Sequence, residues 1–164
     1  MKRVHFIGGR SEAAERGVIC KEASYVKVKS EQDFIELVEV EGIPEGLPCA
    51  GDVGISVSFR AQGFSGVLEE TWLGRSEIEE FLSTIESLEE TGLGAAEITS
   101  LSPEEFTLKV RAMDKPGHVL VKVSLQSGRY IQSERESLLV KGSFEIELSQ
   151  VGGIRRCFSA FLSQ

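Results

Sequence analysis

The chain has 164 residues, enough for one globular domain over 1–164 whose core needs no covalent staples. Acidic residues outnumber basic ones by 26 to 18, and the formal charge of -8 disfavours direct contact with nucleic acid while attracting a basic protein. No apolar run approaches the roughly 18 residues of a membrane span, and the apolar run near Met1–Gly9 is too short for a signal peptide, so a cytoplasmic protein is expected.

Taken in order, Val4 to Ile7 reads as a short strand, Gly8-Gly9 as a turn without dinucleotide-loop spacing, and Ser11 to Gly17 as helix-permissive. Tyr25 to Val28 and Phe34 to Val40 are strands, the second rich in β-favouring residues. Glu41 to Gly51 holds three glycines and two prolines, which forbid regular structure and predict a long loop. Val53, Ile55, Val57 and Phe59 alternate with polar residues, and Ala61-Gln62-Gly63 turns the chain into a strand over Phe64–Leu73.

A helix over about 76–91 follows. Ser76 and Glu79 have the spacing of a reciprocal capping box, Ile78, Phe81, Leu82, Ile85 and Leu88 form one stripe, and Gly92 is placed to stop it. Ala95 to Leu101 is a modest strand, and Phe106, Leu108, Val110 and Ala112 alternate in a better one. Asp114 to Gly117 is a turn leading to Val119, Val121, Val123 and Leu125. Arg129 to Glu136 is polar and reads as a twisted edge or an excursion. Leu138, Val140, Phe144, Ile146 and Leu148 share one face of a last strand, interrupted by Gly142 as at a bulge or bend. A closing helix over about 149–162 carries Val151, Ile154, Phe158, Phe161 and Leu162, despite the weakening pair Gly152-Gly153.

Short turns imply antiparallel pairing, and one-sided alternation implies a sheet with one covered face. The expected fold is α+β: a twisted antiparallel sheet with both amphipathic helices packed on its apolar face. The alternative is a small barrel closed around a helix.

Chemistry is sparse. His5 and His118 stand far apart and show no metal-ligand spacing, and Cys20, Cys49 and Cys157 lack a CxxC arrangement. Neither a metal nor an organic cofactor is expected, and the thiols read as reduced and partly buried. A Cys157–His118 pair is the nearest approach to a nucleophilic site, but Cys157 lies on an apolar helix, where an inert thiol is the simpler reading. Gly63-Phe64-Ser65-Gly66 lacks the spacing of a nucleophile elbow. Trp72 reads as a packing residue.

One surface stands out. Glu79, Glu80, Glu86 and Glu90 lie on the outer side of the first helix, Glu69 and Glu70 just before it, and no basic residue falls between Ser76 and Lys109. These six glutamates are the candidate contacts for a basic partner. A second surface, the polar sheet face with Arg60, Thr107, Lys109, Arg111, His118, Lys122 and Glu145, is mixed in sign.

The order of elements over about 25–162, with Thr71-Trp72-Leu73, the acidic-aliphatic helix Glu77-Ile78-Glu79-Glu80-Phe81-Leu82 and the long last strand, resembles the WapI-type immunity-protein family. The resemblance implies a small non-enzymatic cytoplasmic protein that binds and blocks a cognate bacterial toxin, and it assigns no contact residue. The competing readings are a small-molecule-binding β-rich domain, an enzyme with a dispersed site, or an oligomer subunit using unpaired edges near Tyr25 and Tyr130. A deep pocket lined by His118 and cysteines would favour an enzyme or a small-molecule binder.

Overall fold

A computed structural model describes residues 17–20 and 25–163, excluding the side chains of 19, 20 and 129–131. The elements expected at Val4–Ile7 and in most of Ser11–Gly17 lie outside those residues. Five strands form a first antiparallel sheet in chain order: β1 (Gly17–Cys20), β2 (Tyr25–Ser30), β3 (Asp33–Gly42), β4 (Val53–Ala61) and β5 (Phe64–Leu73). Helix α1 (Arg75–Thr91) then leads to a second antiparallel sheet of β6 (Ala95–Thr99), β7 (Phe106–Ala112), β8 (His118–Ile131) and β9 (Glu134–Glu147). A 3-10 turn at Leu148–Gln150 opens into α2 (Val151–Ala160).

The fold is α+β and antiparallel, as the alternation predicts, and all eight residues Val53, Ile55, Phe106, Leu108, Val121, Val123, Phe144 and Ile146 are buried. The expected single sheet is in fact two. Period-two patterning identifies an inner face but not which strands are neighbours. Here α1 intervenes between β5 and β6, and pairing starts afresh. Tyr25, expected near an unpaired edge, lies on β2, which pairs with both β1 and β3.

The inner faces meet where β9 passes β4 and β5: Gly142 lies on Phe59 and Ala61, and Gly66 lies on Val140. Elsewhere the two helices complete the core. α1 packs on β6 and α2 on β1 and β2, and the helices pack on each other. Phe81 of α1 and Phe158 of α2 have ring centroids 4.7 Å apart, within the range of favourable aromatic pairs. Gly152 and Gly153 occupy that junction. A Cβ at 153 would stand 2.8 Å from the Cβ of Val18, so the pair that weakens the helix lets it approach its neighbours.

The predicted Ser76–Glu79 capping box does not form. α1 begins one residue earlier, at Arg75, whose amide donates to Asp52 Oδ1 (2.9 Å), while the Ser76 hydroxyl donates to Glu77. Arg75 also pairs with Glu79 (2.9 Å) and Glu45 (3.4 Å), so the β3–β4 loop is tied to the start of α1. The segment read as an edge or excursion at 129–136 is the end of a long β8–β9 hairpin. Its two-residue turn has Gln132 and Ser133 at φ 49° and 72°. β7 stops at its Phe106–Leu125 rung, leaving the outer part of the hairpin as a two-stranded arm.

The cysteines also depart from expectation. Cys157 is disulfide-bonded, whereas Cys49 is free and exposed. Sequence spacing could not anticipate this, because the packing of α2 on β1 and β2 sets its neighbourhood.

Candidate functional site

Alternation on β5 places Phe64 on the same face as Gly66 and Leu68, and alternation on β9 places Leu138 with Val140 and Gly142. Gly66 lies against Val140, and Phe64 and Leu138 each stand two residues from that contact on the inner face of their strand. Both are largely exposed, at 77% and 73%, as are Val67 (65%) and Leu139 (52%) on the opposite faces of the same strands. Phe64 and Leu138 are thus exposed apolar side chains at the corner where β5 and β9 part, while Val67 and Leu139 are exposed on the two outer faces. The sequence contained this signal in the continuation of the Val140–Leu138 face beyond Gly142, but alternation does not tell where a sheet's cover stops.

The six predicted contact glutamates are all exposed, but they form no single uncompensated field. Glu79 pairs with Arg75, and Glu86 pairs with Arg155 of α2 at 3.5 Å. Arg155 also donates to Glu89 at 2.8 Å; first Glu89 and then Glu86 and Glu90 raise its pKa further above the usual guanidinium range. These partners were invisible to a scan along the helix, since 66 residues separate Arg155 from Glu89. Glu80 and Glu90 have no ion pair among the described residues. Glu69 and Glu70 lie on β5, ahead of the helix as expected, and Glu70 Oε1 accepts from Trp72 Nε1 at 3.1 Å. The half-buried Trp72 ring covers Gly54, as a packing residue should.

The Cys157–His118 pair is not made: Cys157 is in its disulfide, and His118 Nδ1 bonds to Glu145. Tyr25, half-buried beside Glu36, has its hydroxyl pKa pushed up by burial and then by that carboxylate, and it serves as a donor to Glu36. Among the described residues no group of three or more His, Cys, Asp or Glu is placed to hold a metal. Nor is any helix there long and apolar enough to cross a membrane.

On the outer face of the second sheet is a cleft of about 560 Å³ lined mainly by lysines, hydroxyls, Glu104 and Gln126, and among the described residues neither His118 nor a cysteine lines it. The chain matches no protein-family profile, no curated protein and no solved structure.

Proposed function

We propose that this chain is a non-enzymatic protein-binding domain that neutralises a basic partner protein, the role implied by its resemblance to WapI-type immunity proteins. The observation that carries protein binding is the exposure of Phe64 and Leu138 at the β5–β9 corner, with Val67 and Leu139 exposed on the outer faces of the same strands. Large apolar side chains exposed at the margin of a core mark a surface that a partner can cover. The choice of a basic partner rests on charge: the net -8, Glu69 and Glu70 beside Val67, and Glu80 and Glu90 on α1, which form no ion pair among the described residues. The apolar corner supplies contact energy, while the glutamates speed encounter and select the partner.

On this reading the domain acts against a toxin encoded beside it. Co-expression with the product of the neighbouring gene tests it. Growth inhibition by that product should be relieved by this chain and restored by Phe64→Asp with Leu138→Asp. If the purified neighbouring product does not bind, the neutralising role is lost. If it binds and the double variant binds equally well, the corner is not the surface.

A further inference from the structure

The outer face of the second sheet carries an arrangement that protein binding at the apolar corner does not use. Register places Lys122 directly opposite Ser143 and Ser124 directly opposite Lys141. The four side chains form a square of adjacent rungs on β8 and β9, lysines on one diagonal and serines on the other. Residues directly opposite on one face have Cβ atoms about 5 Å apart, so two ammonium groups and two hydroxyls can converge on one small group.

β7 extends the pattern: Thr107 stands opposite Ser124, and Lys109 stands opposite Lys122. Lys109 and Lys122 are thus like charges on facing positions, an arrangement that destabilises a sheet unless something offsets it. Glu97 engages Lys109 from the far side at 2.7 Å. Among the described residues no carboxylate pairs with Lys122 or Lys141. In a chain of net charge -8, this face concentrates unpaired positive charge around hydroxyl donors.

We infer that this square is an oxyanion seat within a small-molecule site, and that its ligand is a phosphorylated polyhydroxy compound of the size of a pentose phosphate. The phosphate oxygens would accept from Lys122 and Lys141, with Ser124 and Ser143 adding neutral donors; charge-assisted bonds of this kind are the strong ones. The cleft of about 560 Å³ is far larger than an oxyanion needs and falls within the usual range of small-molecule sites. Among the described residues its lining contains no aromatic ring on which a base would stack. It does contain Gln126 and Glu104, whose oxygens can accept from sugar hydroxyls. Those two features favour a polyol over a nucleobase.

Titration calorimetry of the full chain at low salt tests this with ribose 5-phosphate, ribose, inorganic phosphate and a polyglutamate peptide. The expected result is saturable binding of ribose 5-phosphate, no detectable binding of ribose, and binding of inorganic phosphate weaker by about tenfold or more. Lys122→Gln with Lys141→Gln should weaken ribose 5-phosphate by at least about tenfold, as loss of charged hydrogen bonds implies. Thermal melts of the variant should match the parent, since both lysines are exposed. Failure of ribose 5-phosphate to saturate, or binding unaffected by the double substitution, overturns the site. Inorganic phosphate binding as tightly as the sugar phosphate overturns the polyhydroxy assignment. Polyglutamate binding through these lysines while ribose 5-phosphate does not bind overturns it in favour of an acidic protein segment.

Discussion

Gly142 of β9 sits against the ring of Phe59 on β4 so closely that a methyl group at 142 would lie 3.0 Å from Cζ, with the Cβ of Ala61 at 3.1 Å. A glycine at this point lets the two sheets close on each other; the strand itself runs through without a register shift, Val123 facing Gly142. Gly142→Val should therefore cost about 1–3 kcal/mol by overpacking. Urea unfolding measures it, and a loss well under this range would mean that the sheets do not meet at Gly142.

The cap of α1 separates a local reading from a tertiary one. Asp52, from the β3–β4 loop, accepts the Arg75 amide, while Ser76 is turned to Glu77. Asp52→Ala should cost about 1 kcal/mol, the usual effect of losing a capping side chain, whereas Ser76→Ala should change little. Equal losses from the two variants, measured by denaturant unfolding, would restore the capping box.

Much of the fold was legible because its determinants are local. The alternation of Val53 to Phe59 and of Phe106 to Val110 identifies strands and their buried faces, and the Ile78–Leu88 stripe identifies the buried side of α1. Three features were not legible, each for a different physical reason. The Gln132–Ser133 turn adopts φ > 0 at both positions without the Asn or Gly that advertises such turns, so the β8–β9 arm read as an excursion. The cap from Asp52 and the Arg155–Glu89 pair join residues distant in sequence. The candidate sites were least legible, because the Lys122–Ser143 and Ser124–Lys141 square exists only once register is known.

The disulfide at Cys157 makes a prediction about chemistry as well as stability. Under denaturing, non-reducing conditions, Cys49 should be the reactive thiol and Cys157 should resist alkylation. Reduction should destabilise the fold by about 2–4 kcal/mol, the typical contribution of such a cross-link. Alkylation of Cys157 without reductant would show that the bond is not formed. That result would fit a cytoplasmic protein, because disulfides persist chiefly in oxidising compartments.

Partner binding should divide kinetically between the two surfaces. Glu80 and Glu90 on α1 are exposed and form no ion pair among the described residues, so reversing them to lysine breaks no salt bridge and, within the chain, removes only the longer-range attraction of Glu90 to Arg155. Reversing Glu79 or Glu86 would instead disturb Arg75 or Arg155, confusing docking with stability. Exposed charges act mainly on encounter, and their reach fades over about 8–10 Å at physiological salt. Glu80→Lys with Glu90→Lys should therefore slow association with the basic partner at low ionic strength, and the difference should shrink as salt rises. Phe64→Asp with Leu138→Asp should leave association nearly unchanged and speed dissociation by about thirtyfold, equivalent to losing about 2 kcal/mol of anchor contact. Surface-based binding kinetics across a salt series would show both effects. If the glutamate reversals leave association unchanged at low salt, α1 does not face the partner. If the apolar variants leave dissociation unchanged, the corner between β5 and β9 is not what the partner covers.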